Sequence, residues 1–418
     1  MKIDRVARRL VVALLERIES GQLTLVEGGS RRVFGHGSPQ ATVVVHDPSV
    51  FVALARGGKG LAESYVDGRW DSPDVAAVFE VAARNLGGID AVRRALTPVR
   101  EPWQRGRQFL VRNTPLRSRA DIAAHYDLGN DLFELMLDET MMYSSAIFER
   151  RDMSLADASR AKLERICDKL DLQPSDHVLE IGTGWGGFAL HAASTRGCRV
   201  TTTTLSREQR DLASARVREA GLEDRVTVLL QDYRELTGVY DKLVSIEMIE
   251  AVGWKDFGTF FKRCAALIRP EGAMALQAIT IDDRLYDVEK GQRSFMNSLI
   301  FPNGCLPSVE VIARSVARHS DLRMIDLDDI TPHYAETLRR WRANFDAGSE
   351  RYDERFVRLW RLYLSFCEAG FTERRIGSVQ IVLAKPRWRS HDSRSALACL
   401  GESSPGRSFS RVLGGVAT

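Results

Sequence analysis

Hydrophobic and polar positions follow three patterns along the chain. Near the start, Ile3, Val6, Leu10, Leu14 and Ile18 recur at helical spacing, with Lys2, Arg5, Arg9 and Arg17 mostly off that stripe. This predicts a basic amphipathic helix whose apolar stripe packs on its own domain, with a membrane surface as the alternative. Arg8, Arg9, Glu16 and Arg17 interrupt any apolar run, so the segment does not read as a signal peptide. Residues 24–56 read as short strands at 24–27, 31–34 and 41–45 with turns between them, and helical patterns follow to about Leu96. Leu61-Ala-Glu-Ser-Tyr-Val-Asp-Gly-Arg-Trp70 reads as a polar-aromatic turn region.

From Ala120 onward the pattern alternates. A helix at 155–170 precedes a strand at 177–181, a Gly-rich turn and another helix. Next come a strand at 199–203, a helix at 207–220, strands at 226–230 and 242–246, a helix at 254–267 and a strand at 273–278. Strands alternating with helices predict an α/β fold with a doubly wound, mostly parallel sheet. The expected organisation is a small α+β domain at 1–95 and a connector at 96–119. A catalytic domain follows at 120–389, then a disordered tail rich in Ser, Arg and Gly at 390–418.

Composition narrows the class. The chain has 418 residues, 44% hydrophobic and 28% charged, which are globular values. Mean hydropathy is −0.21, and no run of about 18 apolar residues is present to span a bilayer. Six scattered cysteines without a CxxC pair exclude a disulfide scaffold and fit a reducing cytoplasm. Net charge is +3 but unevenly spread. Eight Arg between Arg93 and Arg119 face the single acid Glu101, and five Arg after Pro386 face Asp392 and Glu402. The connector is therefore either a basic belt attracted to a polyanionic surface or a solvated linker. Aromatic interleaving within it is limited to Trp103 and Phe109, so it does not read as a nucleic-acid site. His125, His177, His191 and His333 show no metal-ligand spacing.

The candidate chemistry begins at Gly182-Thr-Gly-Trp-Gly-Gly187, between a strand and a helix. Glycines there allow positive φ and close approach of backbone N–H groups to a ligand, and the following helix N-terminus favours an anion. Gly182, Gly184 and Gly187 satisfy G-x-G-x-x-G, but the second strand ends Thr201-Thr-Thr-Thr-Leu-Ser206, without the acid that a nicotinamide ribose needs. Glu180 before the turn and Gln231-Asp232 after the third strand instead mark an S-adenosylmethionine (SAM) site, with the pair suited to the adenine amino group.

Specific blocks then accumulate: His125-Tyr-Asp-Leu-Gly-Asn130, Met142-Tyr-Ser-Ser145, Val178-Leu-Glu-Ile-Gly-Thr-Gly-Trp-Gly-Gly187, Thr204-Leu-Ser-Arg-Glu-Gln209 and Gln231-Asp-Tyr-Arg234. They continue with Val244-Ser-Ile-Glu-Met-Ile-Glu-Ala-Val-Gly253, Ile300-Phe-Pro-Asn-Gly-Cys-Leu-Pro-Ser308, His333-Tyr-Ala-Glu-Thr-Leu-Arg-Arg-Trp341 and Tyr363-Leu-Ser-Phe-Cys367. In this order the sequence resembles the cyclopropane-fatty-acyl-phospholipid synthase family, including the mycolic acid cyclopropane synthases. The resemblance covers about 120–389 and extends more weakly into the first domain. It implies methyl transfer from SAM to the double bond of an acyl chain in a phospholipid, giving a cyclopropane. Tyr143, Ser144, the turn Gly182, Thr183, Gly184, Trp185, Gly186, Gly187, and Thr204, Leu205, Gln209, Gln231 and Asp232 would hold SAM. It also implies a first domain that addresses an anionic membrane, a homodimer, and a cytoplasmic location on the inner membrane face.

An alkene is a poor nucleophile, so the sulfonium drives the reaction and leaves a carbocation that must be kept from water. Aromatic faces stabilise such a cation, and Tyr126, Tyr143, Phe295, Phe301 and Tyr334 are candidates. The resemblance implies a bound bicarbonate as the base that removes the last proton. Its ligands would map to Glu250, the backbone of Ile279, Tyr334, Ser145 where the family has Cys, and Gln277 where it has His. Ala251 stands where His is common. Cys367 matches a second family cysteine and reads as structural, since this transfer needs no thiol. If hydride shifts before deprotonation, a methylene-branched chain results, and a reductase would be the partner that saturates it. The Glu-Met-Ile-Glu-Ala-Val-Gly and Gln-Ala-Ile-Thr patterns look like methyl-branching relatives that lead to tuberculostearic-type lipids. A SAM enzyme acting on a non-lipid alkene or small metabolite, and a non-catalytic member, are the other readings.

Overall fold

The computed structural model describes residues 2–55, 57–87, 90, 129–290, 296, 300 and 304–389. The basic belt, His125, Tyr126, Phe295, Phe301 and the 390–418 tail lie outside them.

The first region starts with helix α1 (Lys2–Leu15). Strands β1 (Gly21–Glu27), β2 (Ser30–His36), β3 (Gln40–Val45) and β4 (Trp70–Asp71) form a sheet in the order β2-β1-β3-β4. Gly28 and Gly29, at φ 54° and 81°, make the two-residue turn that pairs Glu27 with Ser30, a position where both residues need positive φ. Helices α2 (Val50–Ala55), α3 (Gly58–Val66) and α4 (Val75–Arg84) cover the sheet. Asp74 caps α4 by accepting from the N–H groups of Ala76 and Ala77. The segment 61–70 is not a turn region throughout. Residues 61–66 belong to α3, where Ala62, Tyr65 and Val66 are core, and Trp70 begins β4.

The predicted stripe packs on its own domain only in part: Ile18 rests on the first core, but the middle of the stripe faces outward. Val6, Leu10 and Leu14 are 57%, 61% and 54% exposed, whereas Ala7, Val11 and Val12 are buried in the first core. The helix therefore presents apolar groups on two faces, and Ala7, Val11, Val12 and the half-buried Leu15 carry the packing.

The second region holds a seven-stranded sheet in the order β10-β11-β9-β8-β5-β6-β7. These strands are β5 (His177–Ile181), β6 (Arg199–Thr204), β7 (Val226–Leu230), β8 (Tyr240–Ile246), β9 (Ile268–Ile281), β10 (Arg323–Asp329) and β11 (Ile376–Ala384). β7, β6, β5, β8 and β9 are parallel to one another, and β11 runs antiparallel to both β9 and β10. The expected doubly wound sheet is thus present, with one reversed strand inserted near an edge. Helices α5 (Asn130–Met136), α6 (Leu155–Lys169), α7 (Gly187–Arg196), α8 (Arg207–Glu219), α9 (Phe257–Leu267) and α10 (Val309–His319) pack around it, followed by α11 (Thr331–Ala347) and α12 (Glu354–Thr372). β5, β8 and β9 present nearly continuous buried residues because both sheet faces are covered.

α12 joins the regions. Its Leu362 is fully buried in the first region's core, and Phe366 meets Phe79 edge-on at 5.3 Å. Arg358 donates to the carbonyls of Tyr65 (2.6 Å) and Trp70 (2.8 Å), and Arg84 donates to both carboxylate oxygens of Glu373 at 2.8 Å. No helix among the described residues is long and apolar enough to cross a membrane.

Candidate active site

Strand order reverses at β5, with β6 on one side and β8 on the other, and ligands of such sheets bind at the carboxyl ends of the strands there. The carboxyl ends of β5, β6 and β8 open into one cavity. It is lined by Tyr143, Ser144, Glu180, Gly182, Thr183, Gly184, Trp185, Thr204, Leu205, Gln209, Gln231 and Asp232, and also by Met142, Ile246, Glu247 and Met248. The sequence-predicted cofactor residues are therefore assembled, apart from Gly186 and Gly187, which do not line the cavity. Gly186 is the N-cap of α7 and Gly187 its first residue.

Gly182, Gly184 and Gly186 adopt φ of 105°, 51° and 86°. A Cβ at Gly187 would lie 2.5 Å from Met142 Sδ and 2.6 Å from the Thr140 carbonyl, so this glycine admits the 140–145 segment against the turn. Thr202 Oγ1 donates to Thr183 Oγ1 at 2.8 Å, tying β6 to the turn, and Thr204 Oγ1 donates to Gln209 Oε1 at 2.8 Å. Ser206 caps α8 by accepting from Gln209 N, which orients Gln209.

The donor set suits SAM. One Glu180 carboxylate oxygen is buried with no partner among the described residues, as an acceptor awaiting a ligand donor would be. Burial pushes Glu180 up to about 8, against the opposing pull of Thr202 and Lys162. Lys162, equally buried, donates to Ser144 Oγ at 2.7 Å, and burial brings it down to about 8. Asp232 lines the cavity but is also engaged by Arg234, whose Nε and Nη2 reach its two oxygens at 2.9 and 2.6 Å. Arg234 fixes the carboxylate's orientation.

The proton-handling residues divide differently from expectation. Glu247, absent from the predicted set, accepts from Tyr334 Oη (2.6 Å), Gln277 Nε2 (2.8 Å) and Ser145 N (3.0 Å). Ser145 contributes its backbone N–H, because its hydroxyl donates to the Ala146 carbonyl. Gln380 holds Gln277 by donating to its Oε1 at 3.0 Å. Glu250 accepts from the Ile279 N–H, which donates to Oε1 at 2.5 Å, while Oε2 is buried with no partner among the described residues. Burial and the neighbouring Glu247 push Glu250 up to about 8. Burial also raises Glu247, opposed by its three donors. Three donors against one favour the charge on Glu247 and the proton on Glu250.

Glu247 has φ 51°, a left-handed conformation for a non-glycine residue. That geometry costs on the order of 1–2 kcal/mol. Hydrogen bonds to a charged group contribute about 1.5–3 kcal/mol each, so its three donors outweigh the strain. The signal available in sequence was its place immediately after β8, at the sheet's reversal point.

Aromatic residues form the wall beyond. Tyr143 stacks on Trp341 (5.2 Å) and exchanges a hydrogen bond with Tyr363 Oη at 2.7 Å, and Tyr334 stacks on Phe371 at 4.2 Å. Of the predicted cation-facing residues, Tyr143 and Tyr334 are in this cluster, joined by Phe133, Trp185, Trp341 and Phe371. Cys367 packs at its edge, and burial pushes its thiol up to about 12, consistent with packing and not thiolate chemistry. His177, His191 and His333 are each held by a polar neighbour: Thr201, Glu164 and the Phe148 N–H.

The fold and cavity define a SAM-dependent methyltransferase. The chain matches the mycolic acid cyclopropane synthetase family model over residues 114–381, and it belongs to that family. It is 40% identical over 365 residues to the tuberculostearic acid methyltransferase UfaA1 of Mycobacterium tuberculosis, covering 82% of this chain and 84% of that protein. It is 38% identical over 357 residues to the cyclopropane-fatty-acyl-phospholipid synthase of Escherichia coli, covering 84% and 89%. Among solved structures, the cyclopropane synthase MmaA2 from Mycobacterium tuberculosis aligns with a TM-score of 0.60 at 30% identity, covering 64% of this chain and 98% of that one. The mycolic acid cyclopropane synthase CmaA1 complexed with SAH and CTAB aligns equally well. The protein is thus a SAM-dependent methyltransferase of the cyclopropane synthase type, acting on unsaturated lipid chains.

Proposed function

We propose that the protein methylates the double bond of an unsaturated acyl chain within a membrane phospholipid and yields a cyclopropane. The observation that carries this reading is the shared wall. Tyr143 and Trp185 line the cofactor cavity and also belong to the aromatic cluster, and Glu247 lines the cavity while bonded to Tyr334 of that cluster.

SAM supplies an electrophilic methyl group on a sulfonium. Glu180 and the turn 182–184 would hold its polar groups, and Gln231 and Asp232 would recognise the adenine. The faces of Tyr143 and Tyr334 shield the cation left on the chain and exclude water. A second reading, a methylene-branched product later saturated by a reductase, is favoured by the 40% identity to a protein named for tuberculostearic acid.

The membrane is reached through the first region, residues 1–95. Val6, Leu10 and Leu14 stand out from α1 beside the exposed Arg5 and Arg9, a basic apolar surface suited to anionic lipid. On this reading the protein is a homodimer, peripheral on the inner face of the cytoplasmic membrane, and the Arg93–Arg119 belt adds to the attraction. The test incubates purified protein and SAM with vesicles of unsaturated phosphatidylglycerol or phosphatidylcholine and reads acyl masses. The expected result is a gain of one CH2, faster on the anionic vesicles, with NMR separating ring from branch. Unchanged chains on both vesicles overturn the lipid reading, and equal rates overturn the anionic-surface part.

A further inference from the structure

We propose that the Glu247 side chain is the proton-accepting carboxylate of this site, built into the chain where a bound bicarbonate would otherwise be required. The proposal rests on the acyl-chain reading above. The groups expected to hold an anion were Ser145, Gln277, Tyr334, Glu250 and the backbone of Ile279. Tyr334, Gln277 and Ser145 all donate to Glu247 instead, and the remaining two are bonded to each other. These donors are therefore already committed to a carboxylate that the protein carries itself. A free bicarbonate does not fit among them, and it would add a second negative charge beside Glu247 in a buried site.

Position supports the same assignment. Glu247 lines the cofactor cavity, and Glu250 does not. The left-handed backbone at Glu247 turns its side chain toward donors from three separate elements: the 140–145 segment, β9 and α11. Gln380 on β11 fixes the Gln277 amide, so the arrangement is held from behind.

The step balances without a further reagent. After methyl transfer has left a cation on the chain, one Glu247 oxygen takes a proton from the added methyl group. The C–H electron pair forms the third carbon–carbon bond of the ring, and Glu247 becomes a neutral acid that returns its proton to solvent before the next turnover. If hydride has shifted first, the same transfer leaves a methylene branch.

The test uses the full-length parent and Glu247→Ala, with Glu247→Asp as the conservative variant. Carbon-13 NMR titrates labelled bicarbonate against each protein, and vesicle turnover is measured in buffer stripped of carbon dioxide with and without added bicarbonate. The parent should bind no bicarbonate and turn over equally in both buffers. Glu247→Ala should lose about a hundredfold or more in turnover, the lower range of general-base contributions. It should also bind bicarbonate, recover at least about tenfold when bicarbonate is added, and retain SAM affinity, while Glu247→Asp should keep part of the activity without added anion. A parent that binds or requires bicarbonate overturns the proposal. So does an Ala variant that stays active, or one that melts and binds SAM like the parent yet cannot be rescued. If Glu247→Ala does not fold, the parent arms decide alone. If the parent makes no product on any vesicle, the acyl-chain reading fails, and the NMR titration still decides whether this site takes bicarbonate.

Discussion

At one end of the central cavity, the Gly turn, Thr204 and the Gln231-Asp232 pair present backbone groups and short polar side chains at the ends of adjacent strands. At the other end, Glu247 is buried and surrounded by donors from β9, α11 and the 140–145 segment. The first end is local, since a strand, a turn and a helix within one stretch of chain create most of it. The second end is assembled from groups far apart in sequence: Ser145 lies 102 residues from Glu247, Gln277 lies 30 and Tyr334 lies 87. The local end binds through the backbone of the turn together with a few polar side chains such as Asp232, each of which touches the cofactor cavity on its own. The assembled end depends on each donor, because a buried carboxylate that loses a partner has no water to replace it.

The comparison predicts opposite kinetic signatures. Asp232→Ala removes an acceptor at the cofactor end and leaves Arg234 without its bidentate partner. SAM affinity should fall about 10- to 100-fold, from a charged hydrogen bond of about 1.5–3 kcal/mol. Turnover at saturating SAM should change little. Calorimetric binding and saturation kinetics read the two quantities separately, and an unchanged dissociation constant would remove Asp232 from the site.

Tyr334→Phe probes the assembled end with a smaller change. It deletes one of three donors to Glu247 and keeps the ring stacked on Phe371. Turnover should fall about tenfold, the loss of one charge-assisted hydrogen bond, with SAM affinity unchanged. A variant that weakens SAM binding as much as turnover would show that the two ends are not energetically separate.

This division also explains what could be read from the sequence. The order of strands and helices from 177 to 278 was legible because apolar strands alternate with capped helices and Gly turns. β10 and β11 escaped notice. β10 shows exposed and half-buried positions in alternation, carries Asp326, Asp328 and Asp329, and pairs with a strand some fifty residues later. The cofactor residues were legible because their motif is contiguous. Glu250 was placed by motif, but which of two acids three residues apart meets Tyr334 depends on the backbone turn after β8. Nothing in residue identity announces the positive φ of Glu247. The outward stripe of α1 was misjudged for a related reason. Helical periodicity identifies an apolar face, but only the element packed against the helix, here α2, decides whether Ala7 and Val11 or Leu10 and Leu14 turn inward.

The smallest predicted effect concerns the neighbouring acid. Glu250 is pushed up to about 8 by burial and by Glu247, whereas an unfolded glutamate titrates near 4.5. Between those values the folded state holds a proton that the unfolded state has released. Its contribution to stability is therefore fully present below about pH 4.5 and is lost as pH rises toward and through 8. Glu250→Gln mimics the neutral acid, retains an amide oxygen for the Ile279 N–H, and should remove part of that slope. Its melting temperature should match the parent near pH 5 and exceed it by a few degrees near pH 8.5. Turnover should fall far less than in Glu247→Ala, because the variant keeps a neutral side chain where the parent has one. A Glu250→Gln protein that is inactive, with the parent's pH dependence of melting, would reverse the assignment. The charge would then reside on Glu250, and the three donors around Glu247 would be stabilising a neutral acid.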